Sequence, residues 1–417
     1  MPKHAAAARI LASAAVLTLG GAALRAEEGE AATRVSTRAG ELQVQQVATG
    51  LEHPWAVAPL PDGRFLVTER NPGQMRIVNA DGSVSEPLAN VPDIFRYKGE
   101  TGRSQAGLFD VVLHPDFAAN NQIFVSFSKP TERGAGIAVI RARLDGTGLS
   151  DVTEIFVMKD EDQDSSGLHF GGRMALAADR QHLLLSIGDR RNISRAQDFA
   201  DQAGSILRMT LDGRPAADNP QLPAATDDED GETKPADPYL FAVGSRNSQA
   251  LAIDPASGDL WSAEHGPKGG DRIDLIRPGV NLGWPFYTAG ADYSGAPLGE
   301  QRPPAGMQAP THAFEDTVAP SGATFYTADT IAGWRDSLLV GGLYNKALMR
   351  VSLNGSQVAE VEKIDIGHRV RDVRVGPDGA VWMVTDEEDG KLLRLAPPTA
   401  ARSAQPTGGS APVQSAR

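Results

Sequence analysis

Trp55-Ala-Val-Ala-Pro-Leu-Pro-Asp-Gly-Arg-Phe-Leu-Val-Thr68 decides the fold. Its apolar residues form two short runs separated by Pro-Asp-Gly, the composition of a strand, a tight turn and a second strand. The pattern returns five times. Residues 108–116 lead into 123–127, 173–179 into 183–189, and 249–254 into 259–263. A weaker copy joins 322–327 to 337–341, and the last joins 371–379 to 381–385. The turn aspartates Asp62, Asp116, Asp179 and Asp254 stand 54, 63 and 75 residues apart. The 124-residue interval from Asp254 to Asp378 holds the fifth copy. Repeats of this size, all β with one turn each, predict an all-β, six-bladed β-propeller. A β-sandwich would not require six similar units, and closing a ring removes the exposed edges of so large a sheet. The unequal spacing places long loops between blades, where propellers build sites.

Working outward, the propeller is expected over residues 41–396. Residues 27–40 read as a linker and 397–417, rich in Ala, Ser, Pro and Gly, as a disordered tail. At the N-terminus Lys3 and Arg9 precede an apolar run over 10–24, and Leu24-Arg25-Ala26 precedes a cleavage point before Glu27. The run is short against the ~20 residues that span a bilayer. Residues 1–26 are therefore expected to be a signal peptide, which predicts a periplasmic or secreted bacterial protein with no membrane span after cleavage.

The 417 residues carry 40 basic and 53 acidic side chains, a net charge of -13. That balance disfavours nucleic acid as a partner and suits neutral substrates and cations. It also favours a monomer. With no cysteine, thiolate metal sites, Fe–S clusters, disulfides and Cys nucleophiles are excluded. Walker, His-Glu-x-x-His and Gly-x-Ser-x-Gly motifs are absent, and Gly134-Ala-Gly136 lacks the third glycine of a dinucleotide loop.

Four polar runs stand at the starts of repeats. They are Ser104-Gln-Ala-Gly-Leu108, His169-Phe-Gly-Gly-Arg173, Gly244-Ser-Arg-Asn247 and His368-Arg-Val-Arg-Asp372. Gln105 is a hydrogen-bonding candidate. His169 is a candidate base, with Asp189 one hairpin later to orient it. Arg246 and Asn247, followed by Glu264-His-Gly-Pro267, suit an anionic ligand with a bound cation, because the carbonyls of Gly266 and Pro267 are the hard oxygens that Ca²⁺ takes. Arg369 and Arg371 alternate along one strand and share a face, where their forks match carboxylates. Each run also has a plainer reading: a turn residue, a structural histidine, a salt-bridged turn, an outer row of ion pairs. A propeller gathers the starts of its repeats around one mouth of the axis, and that common position weakens the plainer readings.

From about residue 47 to 395 the chain resembles the soluble aldose sugar dehydrogenases of the glucose/sorbosone dehydrogenase group. The matching runs are Gln105-x-Gly-Leu, His-Pro-Asp-Phe117, His169-Phe-Gly-Gly-Arg, Gly-x-Arg246-Asn, Glu-His-Gly-Pro267, Gly-Gly-Asp271, Asn-x-Gly-Trp-Pro285, Asp-Tyr293-Ser-Gly, Val-Ala-Pro-Ser-Gly322 and Arg369-Val-Arg-Asp-Val. The resemblance implies a cofactor, pyrroloquinoline quinone (PQQ), held with Ca²⁺ over the axis. It further implies oxidation of an aldose to an aldonolactone and passage of electrons to an external acceptor. It assigns catalysis to His169, Asp189 and Arg246. Cofactor contacts fall to Gln105, His169, Arg246, Asn247, Tyr293, Gly342, Arg369 and Arg371, and the metal to Gly266 and Pro267. Two departures stand out. Tyr344 occupies the position of a cofactor-contacting lysine, with Lys346 two residues on. Arg272 and Leu282 replace an acidic residue and a tyrosine of a second Ca²⁺ site. The rival expectations are a Ca²⁺-dependent propeller lactonase, which would ligate metal through carboxylates and Asn at the axis, and a non-catalytic binding propeller.

Overall fold

The computed structural model describes residues 32–98, 104–226, 233–300 and 302–398. It is a six-bladed β-propeller whose only described α-helix is the turn Phe117–Asn120. Each repeat opens on its innermost strand. These are Pro54–Pro59, Leu108–Leu113, Met174–Leu176, Ser248–Ile253, Pro320–Phe325 and Val370–Val375 in blades one to six. Every inner strand touches the next, and blade six touches blade one, so the ring is closed.

The second strands are the most apolar because the neighbouring blades cover both of their faces. Phe65–Glu69, Leu260–Glu264 and Val381–Thr385 are buried throughout. Outer strands meet water, and Gln357–Asp365 is mostly exposed or half-buried. Large side chains fill the wedges between blades. Phe65 of blade one lies 4.2 Å from Trp382 of blade six, centroid to centroid. Trp55, Phe109 and Phe170 form a row of rings 5.4 and 5.6 Å apart near the axis.

Blade six closes the ring with strands from both ends of the chain. Gly40–Leu51 pairs antiparallel with Gly390–Ala396. The expected linker is corrected here: within its described part, Thr33–Thr37 is a fifth strand, paired with the start of Gly40–Leu51. Its sequence is polar apart from Val35, which packs into the same cluster as Leu42 and Leu395, so the sequence shows little strand signal. The expected signal peptide lies outside the described residues, as does the tail beyond residue 398. No described helix is long and apolar enough to cross a membrane.

Four charged side chains plug the axis. Arg173 Nη1 donates to Asp110 Oδ1 (3.2 Å) and Asp372 Oδ1 (3.1 Å), and Arg374 Nη1 donates to Asp372 Oδ1 (2.7 Å). The outer carboxylate oxygens accept the backbone N–H of Met174 and Val57. Blades one, two, three and six are thereby tied together at the centre. A Cβ on Gly322 would fall 1.9 Å from Asp372 Oδ1, so only glycine leaves room for this network on the blade-five side. The Arg173 guanidinium sits 4.0 Å from the Trp55 ring centroid, and its Nε donates to Gln249 O. Trp55 and Gln249 in turn form part of the wall of the cavity above.

Candidate active site at one mouth of the axis

That cavity, of about 310 Å³, is walled by Trp55, Arg70, Gln105, Phe109, Phe170, Gly171, Asn247, Gln249, His265, Ala319, Leu343, Tyr344, Arg369, Arg371 and Asp386. Four of the sequence candidates are on that wall: Gln105, Asn247, Arg369 and Arg371. Arg369 and Arg371 do share a face, and they share a partner. Asp386 Oδ2 accepts from Arg371 Nη2 (2.5 Å) and Arg369 Nη2 (3.4 Å), while Oδ1 bonds His53 Nδ1 (2.9 Å) and lies 3.7 Å from Arg70 Nη2. Burial pushes the Asp386 carboxyl up, but the arginines around it and His53 outweigh this and hold it far below the usual carboxylate range. The Arg371 Nε–H is buried with no partner among the described residues. Gln249 ties the cluster to Asn247: its Oε1 accepts from Arg371 and its Nε2 donates to Asn247 Oδ1 (both 3.3 Å).

His169 is not on this wall but adjoins it, next in sequence to the wall residues Phe170 and Gly171. Its backbone is left-handed (φ 47°) and two left-handed glycines, Gly171 and Gly172, follow it. A Cβ on Gly171 would meet Ser186 O at 2.6 Å and one on Gly172 would meet Phe109 at 2.7 Å, which explains the His-Phe-Gly-Gly run. The His169 N–H donates to Gln105 Oε1 (2.7 Å) and its Nδ1 bonds Asp189 Oδ1 (2.6 Å). Among the described residues Nε2 has no protein partner. Asp189 also accepts Trp284 Nε1–H (2.8 Å) and the Arg191 N–H (2.8 Å). Burial raises Asp189, but the bond to His169 and these neighbours outweigh it, and the carboxyl stays ionised. Burial lowers the His169 imidazole, partly opposed by Asp189 and reinforced by the cationic Arg246. The result is a neutral, oriented imidazole at neutral pH, fit to accept a proton at Nε2.

The remaining candidates flank this pair. The Arg246 carbonyl accepts the Asp189 N–H, and its guanidinium donates to His265 O (3.2 Å) and Tyr293 Oη (3.4 Å). Tyr293 is otherwise exposed. Gly266 and Pro267 do not line the cavity but follow His265, which does. Their turn is pinned by Asp271, whose Oδ1 accepts the Gly266 N–H (2.9 Å) and whose Oδ2 accepts from Val318 and Ala319 (2.8 and 2.7 Å). Gly342 lies one residue outside the wall, paired with Pro320. Of the two blade-five departures, Tyr344 lines the cavity with 70% of its surface exposed, whereas Lys346 is exposed and lies off the wall.

The geometry has close counterparts. A sequence model of the family described as glucose/sorbosone dehydrogenase matches residues 51–394. The chain belongs to the glucose/sorbosone dehydrogenase family. The aldose sugar dehydrogenase YliI of Escherichia coli K12 is 37% identical over 362 residues, 85% of this chain and 93% of the relative. The apo-form crystal structure of the soluble aldose sugar dehydrogenase of Escherichia coli superposes with a TM-score of 0.77 at 35% identity, covering 86% of this chain and all of that one. A structure of the PQQ-bound form of an aldose sugar dehydrogenase from Streptomyces coelicolor gives 0.67 at 27% identity, covering 85% and 98%. This family member is thus an oxidoreductase of the sugar dehydrogenase kind.

Sequence reasoning missed several members of the site. Arg70 and Asp386 follow the second strands of blades one and six, and Trp284 sits in a long loop. Antiparallel pairing brings the end of each second strand beside the start of the first, as Pro54 pairs with Glu69 and Val370 with Thr385. Reading both strand ends in each repeat would have found Arg70 and Asp386. Arg190 was missed too. Its buried guanidinium donates to Leu168 O (2.6 Å), forks onto Asp164 (3.1 and 3.2 Å) and lies 3.5 Å from the Phe170 ring centroid. It braces the residues on either side of His169.

Proposed function

We propose that this chain is an exported, PQQ- and Ca²⁺-dependent aldose sugar dehydrogenase that oxidises the anomeric carbon to an aldonolactone and passes electrons to an external acceptor. The observation that carries the reading is the His169–Asp189 pair beside a cavity whose wall holds three arginines and one aspartate. The buried, unpartnered Arg371 Nε–H also fits a carboxylated ligand. In this reading Arg369 and Arg371 hold cofactor carboxylates, Gln105, Asn247, Tyr293 and the Gly342 backbone border the cofactor, and the carbonyls of Gly266 and Pro267 hold Ca²⁺. When bound, the quinone accepts the hydride and Ca²⁺ acts as a Lewis acid upon it.

His169 Nε2 takes the proton of the anomeric hydroxyl. Asp189 fixes the tautomer that leaves Nε2 bare and stabilises the imidazolium that forms. Arg246, held by His265 O and Tyr293, places positive charge where negative charge develops. A second, structural Ca²⁺ is not part of the proposal. Arg272, buried where related chains carry an acidic residue, already pairs with Asp274 (2.5 and 2.7 Å) and donates to Leu282 O (2.9 Å). The export reading rests on the N-terminal sequence, and likeness to YliI and to the PQQ-bound Streptomyces protein supports the aldose sugar dehydrogenase activity and the quinone.

The test is reconstitution of purified apo-protein with PQQ and Ca²⁺, following dye reduction with glucose and other aldoses. Substrate-dependent reduction is expected; none with any aldose, and no cofactor spectrum, overturns the reading. His169→Ala should keep cofactor binding and lose roughly 100- to 10,000-fold in kcat. Because burial lowers the imidazole, it stays neutral to below the ordinary histidine pKa of 6.5. The acid limb of kcat/KM should therefore lie below pH 6.5, and a limb above it would point to another base.

A further inference from the structure

Arg70 is counted on the cavity wall but assigned no contact in the reading above, yet its surroundings are those of a ligand-binding group. It follows Phe65–Glu69, and its place is tightly set. Its carbonyl accepts the Leu108 N–H (3.2 Å), and a Cβ on Gly107 would fall 2.3 Å from Arg70 Cγ. The side chain is 14% exposed and lines the cavity. Of its five N–H donors, only Nε–H has a hydrogen-bond partner among the described residues, Asn71 Oδ1 at 3.0 Å. The ion pair with Asp386 is long, 3.7 Å, and Asp386 is already engaged by Arg371, Arg369 and His53. The cavity thus carries three guanidiniums against one shared carboxylate. Tyr344, on the same wall, adds no charge, and Lys346 is off it. Guanidiniums crowded round a single carboxylate repel one another: burial lowers Arg371 most, Asp386 opposes this, and Arg70 and Arg369 lower it further. Further anionic charge in the cavity would relieve this.

We propose that Arg70 is the third carboxylate-binding guanidinium of the cavity, completing with Arg369 and Arg371 a set of three cations for the three carboxylates of PQQ. This rests on the PQQ reading. In this arrangement Asp386 is a positioning residue that holds the three guanidiniums at one wall, and the free Nη donors of Arg70 supply the contacts.

The test is titration of apo-protein with PQQ at saturating Ca²⁺, read by cofactor absorbance and by calorimetry. Arg70→Gln should weaken the dissociation constant roughly ten- to hundredfold, as expected for a lost charged hydrogen bond. It should also flatten the salt dependence of binding. Arg70→Lys should recover part of the loss, and Tyr344→Lys added to Arg70→Gln should recover affinity by returning a cation to the same wall. The trimethyl ester of PQQ, which lacks the charges, should bind wild type and Arg70→Gln alike. Equal affinity of wild type and Arg70→Gln for PQQ overturns the assignment, as does an equal loss of PQQ and its ester. Wild type that binds no PQQ at all would instead bring down the reading on which the assignment rests.

Discussion

Two clusters of arginine and aspartate lie one above the other on the propeller axis, and they differ in one respect. In the plug, Arg173 and Arg374 meet Asp110 and Asp372, two charges of each sign. In the cavity above, Arg70, Arg369 and Arg371 share Asp386. Burial of arginine is common to both, since Arg173 and Arg371 are each almost fully covered. Charge balance separates them. The plug is neutral, although one buried N–H group in it, Arg173 Nη2, has no partner among the described residues. The cavity has an excess of cation, a long ion pair and unpaired N–H groups, and it opens towards solvent. The first arrangement balances its own charge and the second does so only with an anion.

The largest effect should come from unbalancing the plug. Asp110→Ala leaves Arg173 and Arg374 sharing one carboxylate in a site where burial already lowers Arg173. Removing one partner of a buried ion pair costs roughly 3–5 kcal/mol. Denaturant unfolding of apo-protein should show a loss of that size, while the folded fraction binds PQQ with wild-type affinity. A stability change under about 1 kcal/mol would mean that the plug does not behave as a buried, mutually dependent network.

What was legible in the sequence was local, and in both clusters the rest depends on pairing between distant residues. The blades were legible because turn residues such as Asp62-Gly63 and alternating apolar runs are local signals. Gln105, Asn247, Arg369 and Arg371 were legible as polar residues at repeat starts, and the structure lines one cavity with them. Arg70 and Asp386 were not, because each sits at the far end of a second strand and its company is set by pairing across the hairpin. Arg173, Asp110 and Asp372 lie inside or beside strands of different blades, up to 262 residues apart in sequence, and nothing local announces that they meet. Thr33–Thr37 escaped because its pairing to Gly40–Leu51, not its composition, makes it a strand.

A smaller and opposite effect should follow from making the cavity still more cationic. Asp386→Asn removes the carboxylate that holds three guanidiniums and His53. The empty protein should lose about 1–3 kcal/mol, the cost of leaving charged donors unpaired. Added PQQ should restore more stability to this variant than to wild type, because the ligand then supplies all the anionic charge. The comparison is read from melting temperatures with and without PQQ at fixed Ca²⁺. The pH dependence follows the same logic. The depressed Asp386 carboxyl stabilises the fold at every pH above its unfolded pKa near 3.8 and loses that contribution as pH falls below it towards the lower folded value. The variant should lack this part of the acid sensitivity. An unchanged melting temperature in the empty state would show that the arginines hold their places without Asp386.

The smallest effect is expected at a balanced network beside the site, in which Arg190 and Arg195 meet Asp164 and Asp201. Arg190 forks onto Asp164, and burial lowers it to about 10, so it remains charged at neutral pH. Its contact with Leu168 O and its position over Phe170 leave His169 little freedom to relax from its left-handed backbone. Arg190→Gln keeps some hydrogen bonding but loses the fork and the cation over the ring. Cofactor affinity should stay within about twofold, because the cavity charges are untouched. A drop in kcat of about tenfold is expected, since small displacements of a base are costly in rate. The acid limb of kcat/KM should move as well, because the imidazole can then shift relative to Asp189. If kcat per bound cofactor and the pH limb both match wild type, Arg190 belongs with the plug, as a structural pair, and has no hold on the base.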